Sequence, residues 1–311
     1  IEVPNISRFA NSQNKVSELD LSSNNPYFIQ IENLSRKKHV VNPENINQSL
    51  LWFFERTNGQ YRETLNKQTP AQQKKFKEQN PPSLKFVKSD IAKFINGWEL
   101  EPHFVAQGSQ KNFIHYTKKI TDLVSKKKLP GENFYRKLIA NAILFKSIDQ
   151  LFGRKGVNAI GDTSLKALSV AYTVSYFHYL TNNRIDLWKI YEEQKIDDFL
   201  SNHLSKLLRF VYKHIIKEAS GSLISEYAKR QSSWDKLKNT AYSDDLINNL
   251  NNYLISEQEK AHRENEKEID SNGVENSIFI ISEIYKMGLK FWDGFRHYID
   301  LNKTDRFDWS I

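Results

Sequence analysis

The chain has 311 residues, with 45 Lys and Arg against 37 Asp and Glu, 8 His and no Cys. The missing cysteines exclude a disulfide framework, a thiolate metal site and a cysteine nucleophile. A composition of 39% hydrophobic and 26% charged residues is that of a globular chain able to bury a core in one large or two ordinary domains. No apolar run approaches the roughly 18 residues of a membrane helix, and no signal-peptide pattern opens the chain. A cytoplasmic protein with no membrane contact is the expectation. The start at Ile1 rather than Met suggests a piece of something longer.

The net charge of +8 is unevenly placed. Residues 1–130 hold 20 Lys and Arg against 12 Asp and Glu, whereas residues 131–311 hold 25 of each. An excess confined to one part points to a polyanionic partner there, against the plainer reading of solvated lysine-bearing helix faces.

Residues 1–130 read as a mixed α+β part. Asn25 followed by Pro26 is a cap and first-turn proline opening a short helix through Leu34. Asn58-Gly59, between Leu50–Phe54 and Gln60–Glu63, signals a hairpin, with helix entry after Gly59 as the alternative. Residues 66–83 show no apolar periodicity and read as a polar excursion. Ser89 is expected to cap a helix carrying Ile91, Phe94 and Trp98, and Ser109 another carrying Phe113, Tyr116 and Ile120. Leu129-Pro130-Gly131 is the expected seam between two parts.

Residues 131–311 read as an α-helical bundle, which makes the fold mainly α. Phe134, Leu138, Ile139, Ala142, Phe145 and Ile148 form one helix face over 132–152. Asp162 is a plausible cap for a helix carrying Leu165, Leu168, Tyr172, Tyr176 and Leu180. A short helix follows Asp186, and Phe199 to Ile215 carry a longer one. Further helices are expected near 222–230, 233–239, 244–264 and 275–299, with Glu257–Asp270 as an exposed charged helix end or loop. No internal repeat is present.

The residues offer little recognisable catalytic chemistry. The histidines lack the spacing of a helical metal site, and no serine sits on a two-glycine elbow. Gly153-Arg154-Lys155-Gly156 lacks the Gly-Lys-Ser/Thr of a phosphate loop. Glu193-Gln194-Lys195 has the letters of a two-carboxylate nuclease core but a helical context. Arg209-x4-His214 resembles the HEPN ribonuclease motif, although Phe210 stands where a polar residue usually follows. No metal and no cofactor is expected. What stands out is amide and arginine. Asn11, Gln13 and Asn14 precede an amphipathic stretch, Arg56 and Gln60 follow an aromatic run, and Gln107, Gln110, Lys111 and Asn112 open a helix. Such side chains tie loops together, and they also suit contacts to phosphates or base edges.

The segments ISRFANSQNKVSELDLSSNNP (6–26), WFFERTNGQY (52–61), KSDIAKFINGWELEPHFVAQGSQKNF (88–113) and FYRKLIANAILF (134–145) resemble, in order and spacing, the AIPR family of abortive infection phage resistance proteins. They cover about the first 150 residues. The resemblance implies a part in phage defence in bacteria or archaea. Longer members are expected to carry a restriction-endonuclease-like domain ahead of this region, so the chain looks like the C-terminal portion of such a protein. It supplies no catalytic residues. The nine amide and basic positions above are therefore nominated as binding or structural residues only. The resulting expectation is a non-catalytic helical module, binding DNA, RNA or its own N-terminal domain through residues 1–130. Two rivals are a metal-independent ribonuclease using Arg209 and His214, and an architectural scaffold for an upstream nuclease.

Overall fold

The computed structural model describes residues 24–42, 45–126, 128–153, 163–192, 203–219, 223–242 and 246–261. Helix α1 (Pro26–Lys37) starts as its sequence requires. Asn25 Oδ1 accepts from the Tyr27 backbone N–H at 2.9 Å, and Pro26 occupies the first turn, where no N–H is needed. Its buried Tyr27, Phe28, Ile31 and Leu34 recur at three- and four-residue spacing and define one face.

A hairpin follows, but not at Asn58-Gly59. Strand β1 (His39–Asn42) pairs antiparallel with β2 (Asn45–Leu51), aligning Val40 with Leu50 and His39 with Leu51. The two-residue β3 (Phe54–Glu55) instead pairs in parallel with β4 (Phe86–Val87). Asn58-Gly59 is thus a helix entry. Gly59, at φ 83°, opens α2 (Gln60–Asn66), and the Gln60 side chain accepts from the Arg56 N–H at 3.0 Å, turning the chain away from a ladder.

Residues 66–83 are also more ordered than their pattern suggests. Helix α3 (Pro70–Gln79) is closed by a Thr69/Gln72 capping box and buries no residue. Periodicity is silent there because α3 has no apolar face to register.

Helix α4 (Lys88–Trp98) buries Ile91, Ala92, Phe94 and Ile95. Its N-terminus is held by Asp90, which accepts from the Val87 N–H at 3.1 Å, not by Ser89. After α5 (Pro102–Ala106), Gly108 rather than Ser109 precedes α6 (Ser109–Ser125), and no side chain caps it. Both serines lie one or two residues inside their helices.

Helices α7 (Glu132–Gly153) and α8 (Thr163–Leu180) form the centre of the core. In α8, buried Val170, Ala171, Tyr172, Val174, Tyr176 and Phe177 cover every direction around the axis, the pattern of a helix with no solvent face. Each large side chain so buried contributes roughly 1.5–3 kcal/mol. Several polar groups on α8 find partners on neighbouring elements, although Ser169 Oγ is buried with none among the described residues. Ser175 Oγ donates to Gly97 O, Tyr172 OH to Ala228 O, and His178 Nδ1 lies 2.6 Å from Trp98 O. Two of those acceptors are carbonyls at the end of α4, where intrahelical donors run out. Gly97 also lets α7 pack closely on α4, because a Cβ there would stand 2.8 Å from the Phe145 ring.

The short α9 (Leu187–Glu192) is capped by Asp186, whose carboxylate accepts from the Trp188 N–H at 3.1 Å. Then come α10 (Ser205–Glu218), α11 (Ile224–Ala228) and α12 (Gln231–Lys238). The continuous helix expected over 244–264 is broken. After α13 (Leu246–Asn249), a 3-10 turn (Asn251–Tyr253) leads into backbone pairing with the loop after α8, with Asp186 N donating to Tyr253 O and Ile255 N to Arg184 O, each at 2.8 Å. One hydrophobic cluster runs from Tyr27 through α7 and α8 to Leu250, passing across residues 129–131. The described part is mainly α, with a small α+β region near its N-terminal end. Asp162 and residues 275–299 lie outside the described residues.

Candidate functional site

The nominated residues fall into two clusters with different fates, and Asn11, Gln13 and Asn14 lie outside the described residues. The first cluster forms around Glu32 on α1. Its carboxylate accepts from Arg56 Nε and Gln60 Nε2 and pairs with Arg36 Nη2 at 3.4 Å. The same Arg36 nitrogen donates to Phe54 O at 2.9 Å, and the guanidinium lies 3.5 Å over the Phe53 ring. Burial pulls the Arg36 pKa below its ordinary value, with Glu32 opposing the shift. Beside this network Glu55, almost wholly buried, accepts from the Tyr61 N–H at 3.2 Å and pairs with Lys85 at 3.0 Å. Charge-assisted bonds of this kind are strong when partly shielded from water. Arg56 and Gln60 are thus committed to pinning β3 and α2 onto α1.

The second cluster occupies the junction of α4, α5 and α6. Asn96 and Asn112 are both buried, and Asn96 Nδ2 donates to Asn112 Oδ1 at 2.7 Å. Lys119 Nζ reaches Asn96 Oδ1 at 3.3 Å and Glu99 Oε2 at 2.8 Å, and it also bonds Glu101. Burial works against the Lys119 charge, but its hydrogen bonds to Glu101 and Glu99 hold its pKa above the ordinary value. Glu101 also lies 3.2 Å from His115 Nε2, and the His115 ring stacks on Phe104, 9° from parallel with centroids 3.5 Å apart. Asn112 is therefore an internal tie.

The outward side of α6 is different. Phe104, Gln107, Lys111, Ile114, His115 and Lys118 line a shallow groove of about 230 Å³. Lys111, His115 and Lys118 recur at four and three residues, which sets them in one stripe. Gln110 is exposed beside them. Among the described residues neither Lys111 nor Lys118 forms an ion pair. Lys111 helps to lower the pKa of exposed Glu226, but the principal cause there is the hydrogen bond from Lys229. The first turn of α6 carries no acid and no side-chain cap. A cation at that end opposes the helix dipole, so an external anion would be stabilised there.

The pair Arg209 and His214 sits on α10, five residues and so about 140° apart around the axis. Arg209 is exposed and His214 half-buried. The His214 Nε2 is enclosed without a hydrogen-bond partner among the described residues, and burial lowers its pKa. Among the described residues no three His, Asp or Glu side chains converge as metal ligands, and no helix is long and apolar enough to cross a membrane.

Sequence reading missed Glu32, Arg36, Asn96, Glu101, His115, Lys118 and Lys119. Glu32 and Arg36 pair locally, four residues apart, but their ties to Phe54, Arg56 and Gln60 span 18 to 28 residues and give no local sign. The spacing of Lys111, His115 and Lys118 was present in the sequence and could have marked the stripe.

Fold and face together define a helical module whose accessible chemistry is ammonium and amide. The family comparison makes this specific. The model of the AIPR protein family matches residues 1–219, and the chain belongs to that family. The match reaches beyond the 150 residues carrying the quoted motifs and ends where α10 does. Membership places the chain among proteins of abortive infection and phage defence. No curated protein and no solved structure matches it.

Proposed function

We propose that this AIPR chain is a binding module without chemistry of its own, and that the α6 stripe contacts nucleic acid. The carrying observation is that Lys111 and Lys118 line one groove without an ion pair among the described residues, with Gln107 and Gln110 near Lys111 at a helix start lacking both acid and cap. Lysines are point-charge ligands for phosphate, and amides suit base edges. Arg56, Gln60 and Asn112 do not belong to this surface. They hold the framework that presents it.

The test is fluorescence anisotropy of the whole chain with labelled DNA and RNA oligonucleotides over a range of salt. Binding through lysine–phosphate contacts weakens as salt rises, by roughly 0.9 in log K per decade of salt for each duplex phosphate neutralised. Absence of salt-dependent binding to every oligonucleotide contradicts the proposal and favours a role in protein association, including docking of an upstream domain.

A further inference from the structure

Helix α3 is an exposed element that the fold goes to some length to hold still. It buries nothing, yet both ends are fixed. At the start, the Thr69 N–H donates to Gln72 Oε1 at 3.0 Å, and Gln72 N returns to Thr69 Oγ1 at 3.4 Å. At the end, buried Asn80 continues the last turn with N donating to Phe76 O at 2.7 Å, and its own carbonyl accepts from Tyr61 OH at 2.7 Å. Between them, Gln73 Nε2 donates to Leu65 O at 3.0 Å. Phe76 meets Tyr61 and Phe53 at centroid distances of 5.4 and 5.7 Å. Gln73, Phe76 and Asn80, at three- and four-residue spacing, are thus the inward stripe.

The rest of the helix is solvent face, and it is basic. Lys74, Lys75 and Lys77 are exposed with one acid, Glu78, among them. None of the three forms an ion pair among the described residues, including the available four-residue pair of Lys74 with Glu78. Exposed Arg62 and Lys67 on and just after α2 extend the same cationic run, and among the described residues neither forms an ion pair. An exposed face so charged is stabilised either by internal ion pairs or by an opposite charge brought to it. Here the pairs are missing, and three like charges on a fixed frame repel one another.

We propose that α3 is an arm that lies against the phosphate backbone of a nucleic-acid duplex, contacting it through Lys74, Lys75 and Lys77. This rests on the nucleic-acid reading of α6 but uses a separate surface. The occupant follows from charge: three ammonium groups spread over the outward arc of a fixed helix, with its one aromatic, Phe76, turned inward, complement phosphates and offer nothing with which to stack bases. The contact therefore positions the duplex without reading its sequence.

The experiment compares the whole chain with Lys74→Gln/Lys75→Gln/Lys77→Gln and with Lys74→Arg/Lys75→Arg/Lys77→Arg on two duplexes of unrelated sequence. Each is titrated over a range of salt, with circular dichroism to confirm that the helix remains. The glutamine variant is expected to lose at least tenfold in affinity on both duplexes alike. Its plot of log K against log salt should be shallower by about 2 to 3, near 0.9 for each contact removed. The arginine variant should retain the parent slope. If the parent binds and the glutamine variant keeps its affinity and slope, the arm is overturned while the α6 reading stands. A loss confined to one of the two sequences also overturns it. If the parent binds no duplex at any salt, the arm fails, and binding to single strands alone then leaves only the α6 reading.

Discussion

Two amide-and-cation clusters of nearly the same composition end in opposite roles. Around Glu32, Arg56 and Gln60 point inward and spend every charge on holding β3 and α2 against α1. Along α6 and just before it, Lys111, Lys118 and Gln107 line the outward groove, and among the described residues neither lysine forms an ion pair. The difference lies in whether an acid arrives from a distant segment. Glu32 reaches the first cluster across 24 and 28 residues of chain, while Glu99 and Glu101 are taken up by Lys119 and His115, and among the described residues no acid forms an ion pair with Lys111 or Lys118. A residue motif alone therefore does not separate a clasp from a binding face.

The comparison breaks most readily at the clasp. Glu32→Ala removes the carboxylate shared by two arginines and an amide, and should destabilise the chain by about 3 kcal/mol, read as a lower urea midpoint with unchanged slope. A loss under about 1 kcal/mol would mean that the cluster is as solvated as the α6 face. Next comes the buried tie beneath that face. Asn112→Ala removes the acceptor of Asn96 Nδ2 and should cost about 2 kcal/mol in the same measurement.

The junction of α4 with α8 adds a pH dependence. Burial lowers the His178 pKa to about 4, and its ring bonds Trp98 O. The unfolded chain then binds a proton at higher pH than the folded chain does. Stability contributed by neutral His178 is complete above about pH 6.5 and is lost as pH falls towards 4. One unit below 6.5 the loss is on the order of 1.4 kcal/mol, and His178→Gln should flatten this slope in unfolding curves taken between pH 7 and 5. An unchanged slope would show that His178 is not the group responsible. Smaller still, Gly59→Ala forces a Cβ into a backbone at φ 83° and should cost about 1 kcal/mol, a strain effect since no atom stands within 4 Å of the added carbon.

These differences also mark what the sequence could reveal. The helix at 132–152 was readable from a dense, periodic apolar face and that at 163–180 from its density of apolar residues, and Asn25-Pro26 opens its helix as its letters suggest. Helix α3 was invisible because it has no buried face. The hairpin was misplaced because Asn58-Gly59 has the local chemistry of a turn, while the partner of β3 lies 32 residues further on, at Phe86. The helix expected over 244–264 was overridden by backbone pairing with 184–186. At the candidate site the right segments were found from their letters, but sorting them required partners remote in sequence. Lys118 and His115 escaped notice because they follow the amide motif rather than belong to it.

The most direct trial of the outward-facing stripe is Lys111→Gln/Lys118→Gln, followed both by urea unfolding and by salt-dependent binding to an oligonucleotide that the parent chain binds. Stability should stay within about 0.5 kcal/mol of the parent, since neither lysine supports the fold. The slope of log K against log salt should become shallower by up to about 1.8 on a duplex, with affinity falling at least tenfold at low salt. Unchanged affinity and slope in the double variant would contradict the assignment of α6 as the nucleic-acid face.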